Sequence, residues 1–375
     1  MEGGPAVTNL SGDDRGSHRR VAGFFLQGMN TSRLSQVGIP GTVAANMAKQ
    51  EDLSPNWFSG KRVLVTGGGG FIAASIIGLL CDVDCHIVRL LRRPGTAWSG
   101  PGKAKVEDLV GDIRDQALWQ SLPKAIDVVF HLAAQTSTYE ANRAPHSDLD
   151  SNVLPMLLML QEFQERGVKP VVVCASTVTI CGLPQRLPVG EDHPDAPITI
   201  YDLHKLMAEN YLKYYVRIDA VCGAALRLAN VYGPGPRSSR HDRGILNQMV
   251  GRALRGEALT IYGRGENLRD YVHVEDVASA FLAAAAHMDT LNGGHFIIGR
   301  GEGHSIGQAL QLVAERVAAR AGKLVPVTSV EPPAGLSPIE ARNFVADTRR
   351  FVAMTGWRAR YALAPGIDTI IESLL

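Results

Sequence analysis

The sequence predicts an α/β fold in which helices cover both faces of a parallel sheet. Short apolar runs alternate with helical segments between residues 61 and 230. Strands that are apolar along their whole length are typical of a parallel sheet buried on both faces. The alternation therefore predicts a doubly wound sheet. From about residue 236 the order becomes mixed, which indicates a smaller second lobe on the carboxyl edge of that sheet.

The individual elements follow from the local pattern. Six β-branched or apolar runs predict strands, at 61–66, 85–91, 105–112, 125–134, 170–176 and 222–230. Segments with helical periodicity separate most of them, at 71–80, 116–122, 151–167 and 202–216. In the C-terminal part we expect helices near 244–255 and 274–288, and short strands at LTIYG and HFIIG.

The bulk composition excludes several classes of protein. The chain has 375 residues, 45% of them hydrophobic, and a formal net charge of +1. Such a charge gives no global basic field, so neither nucleic acid nor an anionic membrane is an expected partner. The sequence has no run of eighteen apolar residues, so no transmembrane span is predicted. Five cysteines, an odd number, indicate reduced thiols rather than a disulfide framework or a metal site, and we expect a cytoplasmic protein without a bound metal.

A glycine-rich turn joins the first strand to the first helix. In TGGGGFIAAS (66–75), Gly67, Gly70 and Ala73 fit the spacing G-x-x-G-x-x-G/A. The first position permits a tight turn, the second lets backbone approach a pyrophosphate, and the third lets the helix pack on the sheet. The helix amino terminus, at Phe71 and Ile72, then offers unpaired N–H groups to the phosphates. The turn predicts a dinucleotide site in a Rossmann-type domain.

These observations divide the chain into three parts. Residues 1–57 are rich in glycine, serine and charge, and we expect a flexible leader or an arm. Residues 58–235 are predicted to form the dinucleotide-binding domain. Residues 236–375 are predicted to form most of the substrate-binding lobe, and the two lobes are free to interleave.

The end of the second strand indicates which dinucleotide is bound. An acidic residue there would bind a free ribose 2′-hydroxyl, but RLLRRPG (89–95) has Arg92 and Arg93 instead. Guanidinium groups suit a 2′-phosphate, so NADP(H) is favoured and NAD(H) stays open. Asp112 and Ile113 close the third strand, where Asp112 is placed to accept a hydrogen bond from adenine or, alternatively, to cap the next helix.

A second motif predicts catalysis. Tyr201 and Lys205 lie four residues apart in a predicted helix and therefore share a face. Thr177 ends the fifth strand, whose carboxyl end faces the cofactor cleft. Lys205 can lower the pKa of the phenol from about 10, so that Tyr201 donates a proton to a carbonyl oxygen, or takes one from an alcohol, while hydride moves at the carbon. Thr177 would orient that oxygen.

The motifs together resemble the extended short-chain dehydrogenases/reductases of the nucleotide-sugar epimerase, dehydratase and reductase group. The matching segments are TGGGGFIA, GDIRD, HLAAQ, AST with CG, YDLHK, RLANVYGPG and GRGENLRDYVHVEDVA, in the family's order over about residues 60 to 300. The resemblance implies a homodimer that binds a TDP- or UDP-type sugar, with Thr177, Tyr201 and Lys205 as the catalytic set. It further implies cofactor contacts from Leu132, Ala133 and Ala134, diphosphate contacts from Asn230 and Arg269, and a base contact from Tyr262. A surface salt bridge to Asp270 is the alternative for Arg269.

The reaction is predicted from departures within that group. Dehydratases and glucuronate decarboxylases carry acids after the catalytic hydroxyl, whereas Val178 and Thr179 follow Thr177 here. Cys181 stands where tyrosine is usual. The strand end RLLRRPG and the tail 325–357 look most like deoxysugar 4-ketoreductases that act on TDP-4-keto-6-deoxyhexoses. The predicted function is therefore reduction of a nucleotide-linked 4-keto sugar. The alternatives are an NAD-dependent C4 epimerase, then a decarboxylase or a non-catalytic nucleotide-sensing protein.

Overall fold

The computed structural model of the protein describes residues 55–95, 98, 100, 102–236, 244–333 and 335–375. The predicted leader, residues 1–57, lies outside the described residues except for its last three. All described residues belong to one compact unit. Among them, no helix is both long enough and apolar enough to cross a membrane.

Twelve strands are found in the described ranges. They are β1 (Arg62–Thr66), β2 (His86–Leu91), β3 (Lys105–Val110), β4 (Val128–His131), β5 (Val171–Thr177), β6 (Cys222–Leu228), β7 (Asn230–Tyr232), β8 (Leu259–Tyr262), β9 (Leu268–His273), β10 (His295–Ile298), β11 (Gly303–Ser305) and β12 (Val327–Val330).

The helices of the same ranges connect and cover these strands. They are α1 (Phe71–Leu80), α2 (Gln116–Gln120), α3 (Thr138–Arg143), α4 (Pro145–Asn152), α5 (Leu154–Glu165), α6 (Ile200–Arg217), α7 (Ile245–Leu254), α8 (Val274–Ala286), α9 (Met288–Leu291), α10 (Ile306–Ala321), α11 (Arg349–Thr355) and α12 (Leu363–Leu374). Short 3-10 helices lie at Pro55–Phe58, Val178–Cys181 and Pro338–Ala341.

The central sheet has seven parallel strands in the order β10-β6-β5-β4-β1-β2-β3. Six of its strands are buried on both faces, as the continuous apolar runs predict, whereas the residues of the edge strand β3 are exposed or half-buried. Along β1, Val63 and Val65 belong to one core with α1 and α8, while Leu64 belongs to a second core with α5. Helices thus cover both faces, and the predicted doubly wound α/β fold is confirmed.

The C-terminal part adds two small sheets, β11-β9-β7 and β12-β8, and a third core around α7, α10 and α12. Two of its elements return to the main sheet. The HFIIG segment, which the sequence analysis placed in the smaller lobe, forms β10 and pairs with β6. Helix α8 packs on α1. By pairing with β6, β10 covers an edge of that strand that would otherwise be open.

The topology positions a site at the carboxyl edge of the sheet. β1 pairs with β2 on one side and with β4 on the other, so the strand order reverses between β1 and β4. Ligands of doubly wound sheets bind in the crevice at such a switch point. The ends of β1, β4 and β5 lead directly to the predicted functional segments.

Candidate active site

The turn after β1 is held against the end of β4. Gly67 has φ +65°, and a Cβ built there would lie 3.0 Å from the backbone N and Cα of Ala133. That approach requires glycine for both its conformation and its lack of a side chain. The predicted cofactor segment Leu132–Ala134 therefore follows β4 directly beside the glycine turn.

The hydroxyl of Thr66 fixes this arrangement. Its Oγ1 accepts hydrogen bonds from the backbone N–H groups of Leu132 and Ala133, both at 3.1 Å. It also lies 3.1 Å from Nδ1 of His131, and Thr66 and His131 are both buried. The last residue of β1 thus ties the two chain segments that border the crevice.

Helix α1 begins where a dinucleotide phosphate is expected. Gly70 is the N-cap, with no side chain capping the helix, and its N–H donates to the carbonyl of Gly67 at 2.8 Å. Ala73 is buried and Ile72 half-buried, so this turn packs on the sheet as predicted. The N–H groups of a first helical turn have no partner within the helix. Uncapped and preceded by glycines, this terminus fits a pyrophosphate, whose binding here stays a prediction.

The predicted adenosine end contains a compact charge cluster. Asp112 accepts from Arg114 Nε at 2.9 Å and Nη2 at 2.6 Å, and a cavity of about 400 Å³ lies between these residues and Leu154. Arg114, with a smaller contribution from Arg92, lowers the pKa of Asp112 to about 2. Asp115, not Asp112, caps α2 through the N–H of Ala117. Asp112 is therefore an anionic group beside a cavity rather than the helix cap.

Arg92 and Arg93 follow β2 and are exposed. Ile113 is half-buried, and its carbonyl accepts from the indole N–H of Trp119. Arg92 lies near enough to Asp112 to affect the pKa of that carboxyl, so guanidinium groups from two loops converge on the adenosine end.

The predicted catalytic residues are all buried near the end of β5 and the start of α6. Thr177, Tyr201 and Lys205 have 8%, 8% and 6% of their surface exposed. Thr199 caps α6 by accepting the N–H of Asp202 at 3.2 Å, which places Tyr201 in the first turn and Lys205 one turn later. The cap fixes the residue at which α6 begins and therefore the turn in which each of the two side chains lies.

Lys205 lies among buried titratable groups. Burial lowers the pKa of its ammonium. The electrostatic interactions with Cys174, Glu209 and Asp148 act in the opposite direction and offset part of this effect. Burial and the charge of Lys205 together lower the pKa of His131 to about 3. His131 is accordingly neutral at physiological pH.

A chain of hydrogen bonds joins the end of β5 to α6. Thr177 Oγ1 lies 2.8 Å from Thr179 Oγ1, and Thr179 Oγ1 donates to Oδ1 of Asp202 at 2.5 Å. The N–H of Thr179 also donates to Thr177 Oγ1 at 3.2 Å. Because Asp202 is the neighbour of Tyr201, this chain sets the position of Thr177 relative to the phenol.

The predicted diphosphate residues lie in a second cluster. Arg269 is 3% exposed and donates to the carbonyls of Arg342 and Glu340 and to the carboxylate of Glu340. Asp270 is not its partner: that carboxylate accepts backbone N–H groups, including those of Arg300 and Gly301. The surface salt bridge considered for Arg269 is therefore absent, and Arg269 is a buried cation.

The cluster contains Arg342, which the sequence analysis did not single out. Its Nη2 donates to Oδ1 of Asn230 at 3.4 Å, so Asn230 and Arg269 meet through it. Burial, followed by the charge of Arg269, lowers the pKa of Arg342 to about 10. Its Nε is buried and has no hydrogen-bond partner among the residues that the structure describes. An unsatisfied guanidinium N–H beside a second cation favours an anionic ligand.

The sequence carried little signal for Arg342. It lies in ARNFVADTRR, 112 residues after Asn230, and no local spacing relates the two. Of the remaining predicted residues, Tyr262 ends β8 with 54% of its surface exposed, while Cys181 is buried. The base contact predicted for Tyr262 stays a prediction.

The chain is similar to several known proteins. The model of the NAD dependent epimerase/dehydratase family matches residues 63–299. The UDP-glucose 4-epimerase of Mycolicibacterium smegmatis is 30% identical over 83% of this chain and 97% of its own. The dTDP-4-dehydro-6-deoxyglucose reductase of Escherichia coli is 25% identical over 83% of this chain and 97% of its own. The structure of MoeE5 in complex with UDP-glucose and NAD superposes with a TM-score of 0.72 at 28% identity, covering 84% of this chain and 98% of that one.

Proposed function

Because the chain belongs to the NAD dependent epimerase/dehydratase family, the extended short-chain dehydrogenases/reductases, we propose that it reduces the 4-keto group of a nucleotide-linked deoxysugar. The proposed chemistry is supported by the burial of Thr177 at the end of β5 and of Tyr201 and Lys205 in the first two turns of α6. A bound nicotinamide dinucleotide supplies the hydride. NADPH is the proposed cofactor, since Arg92 and Arg93 occupy the strand end that discriminates the ribose.

The protein's part in the reaction is proton transfer and positioning. Tyr201 donates its phenolic proton to the sugar oxygen as negative charge develops there. Lys205 supports this step because its buried positive charge stabilises the phenolate that remains. Thr177, the last residue of β5, provides a second polar contact for the sugar oxygen.

Substrate binding is assigned to the Asn230–Arg269–Arg342 cluster. The diphosphate of a nucleotide sugar would accept from the unsatisfied Nε of Arg342 and be attracted by both guanidinium charges. Anchoring the diphosphate fixes the distance of the carbonyl from the hydride donor, so binding at this cluster contributes to turnover as well as affinity.

The choice of reduction rests on three observations. No acid follows Thr177 in the 3-10 helix Val178–Cys181, unlike the decarboxylases and dehydratases. Arginines stand at the end of β2, and a reductase from Escherichia coli is among the relatives. C4 epimerisation with bound NAD is the second candidate, supported by the UDP-glucose 4-epimerases among the relatives. A non-catalytic role is disfavoured because the Tyr201–Lys205 pair is kept.

A parallel assay distinguishes the candidates. The purified protein is given TDP-4-keto-6-deoxyglucose with NADPH while absorbance of the reduced cofactor is followed, and, separately, UDP-glucose with NAD. Consumption of NADPH with formation of a 4-hydroxy product supports the reductase. Interconversion of the gluco and galacto nucleotides without NADPH consumption, together with NAD retained through purification, would assign the epimerase instead.

A further inference from the structure

Thr177 and Thr179 have two hydroxyl hydrogens between them, one too few to donate to each other, to Asp202 and to a substrate oxygen at the same time. Resting on the proposed function, we propose that Asp202 is a positioning residue whose protonation state decides whether Thr177 donates a hydrogen bond to the sugar oxygen or accepts one from it. The three side chains touch in sequence, and their hydroxyl hydrogens and lone pairs limit which hydrogen bonds can form together.

With Asp202 ionised, the chain points away from the substrate. A carboxylate can only accept, so Thr179 must give its single hydroxyl hydrogen to Asp202 Oδ1. The 2.8 Å contact between the hydroxyls then requires Thr177 to donate to Thr179. One lone pair of Thr177 accepts the N–H of Thr179, which leaves one lone pair and no hydrogen for the sugar. In this state Thr177 suits a sugar hydroxyl, which donates to it.

With Asp202 protonated, every hydroxyl in the chain reverses. The carboxylic acid donates to Thr179, and Thr179 donates to Thr177. Both lone pairs of Thr177 are then occupied, one by Thr179 Oγ1 and one by the N–H of Thr179. Its hydrogen is left for the sugar oxygen, so Thr177 suits a carbonyl or the alkoxide that forms from it. Reduction therefore uses the protonated chain, and oxidation of an alcohol uses the ionised one.

The surroundings of Asp202 permit both states. Its side chain is fully buried, and Oδ2 has no hydrogen-bond partner in the described part of the chain. Burial raises the pKa of Asp202, while Thr179, Thr199 and the charge of Arg342 oppose that rise. The titratable residues within one turn of Asp202 on α6 are Tyr201, His204, which contacts Asp148, and Lys205. Because Arg342 belongs to the proposed diphosphate cluster, an anion bound there would weaken its pull and favour the protonated acid.

A capping role is the competing explanation for Asp202. It occupies the third position of α6, and the cap residue Thr199 accepts its N–H. An acid in this turn stabilises a helix through the macrodipole. Capping alone predicts a loss of stability on replacement, but it gives no reason for Thr177, whose described contacts in the chain run through Thr179, to influence the titration of Asp202.

The first experiment needs no substrate. Titration of Asp202, followed by ¹³C NMR of aspartate-labelled protein with Asp202→Asn to assign the signal, is compared between the wild type and Thr177→Val. Thr177→Val removes the Thr177–Thr179 hydrogen bond in both states, but the loss costs the ionised state more, because there this bond strengthens a charge-assisted hydrogen bond to the carboxylate. Thr177→Val should therefore raise the pKa of Asp202. An unchanged titration would overturn the proposal whatever reaction the protein catalyses.

The second experiment measures the kinetic consequence. Initial rates on TDP-4-keto-6-deoxyglucose with NADPH are followed from pH 5 to 10. The contribution of the protonated chain is present below the pKa of Asp202 and is lost as pH rises through it. The wild-type kcat should therefore fall at least about tenfold as pH rises through that pKa, and this fall is the Asp202 limb of the pH profile. Removing one donor at a developing oxyanion typically costs about 10²–10³ in kcat. KM should change little, because the contact strengthens only as charge develops.

Three variants separate this limb from the titration of Tyr201 and Lys205. Thr179→Val and Asp202→Asn should both abolish the limb that depends on Asp202, whereas Thr179→Ser keeps the hydroxyl and should retain it. An identical pH profile in the wild type, Thr179→Val and Asp202→Asn would overturn the inference while leaving the reductase assignment intact. Absence of wild-type turnover would instead remove the proposed function, and the NMR titration would still decide the role of Asp202.

Discussion

The two ends of the crevice are built in different ways. At the cofactor end, a tight turn, the end of β4 and a helix terminus meet mainly through backbone, with Gly67 and Thr66 making the close contacts. At the sugar end, side chains from segments more than 70 residues apart converge, with Arg269 bound to Glu340 and Arg342 bound to Asn230. Backbone sites tolerate few side chains, whereas side-chain sites can change their ligand by substitution. We therefore expect substitutions at the sugar end to change the bound ligand more readily than substitutions at the cofactor end.

The largest effect is expected where the two ends meet. Replacing Tyr201 by Phe removes the proton donor while keeping the ring, so turnover should fall by about two to four orders of magnitude. Dinucleotide affinity, measured by calorimetry, should stay within about twofold, because the glycine turn is untouched. Retained turnover would show that another group protonates the sugar oxygen and that the two ends do not share Tyr201.

The sugar end is tested by Arg342. Arg342→Lys keeps a positive charge but removes the unsatisfied Nε donor, so KM for the nucleotide sugar should rise about 10- to 100-fold. KM for the dinucleotide should not change. The matched control is Arg316→Lys, an arginine whose bidentate partner is Asp368 in the C-terminal core. Equal effects of both variants on the sugar KM would exclude a specific role for Arg342.

What the sequence could predict follows the same division. The strands of the main sheet, the glycine turn and the position of Thr177 and Tyr201 are local patterns, and the structure agrees with each of them. Arg342 and the Thr179–Asp202 bond depend on contacts between distant segments, which no periodicity encodes. The position of β10 depends on such a contact too: its apolar run fits either sheet, and only pairing with β6 decides.

The cofactor end has one variable feature, its adenosine corner. The double replacement of Arg92 and Arg93 by alanine should raise KM for NADPH about tenfold and leave KM for NADH nearly unchanged, because only the former carries a 2′-phosphate. The control is Arg255→Ala, since this exposed arginine follows α7 in the C-terminal part and is paired with Glu257. If both cofactors respond equally, the arginines do not read the phosphate, and NAD is the better assignment.

The smallest effect isolates the backbone contact itself. Gly67 and Gly60 have similar left-handed conformations, with φ of +65° and +74°, but a Cβ at Gly60 meets nothing within 4 Å. Both alanine variants should lose about 1–2 kcal/mol of unfolding free energy from the unfavourable φ. Gly67→Ala should lose a further amount, about 1 kcal/mol, because its Cβ presses on Ala133 at 3.0 Å, and it alone should weaken dinucleotide binding. Chemical denaturation of both variants measures the loss of unfolding free energy, and calorimetry measures dinucleotide binding. Equal losses in the two variants would mean that the end of β4 can move away from the turn, and that the cofactor end is less rigid than its contacts indicate.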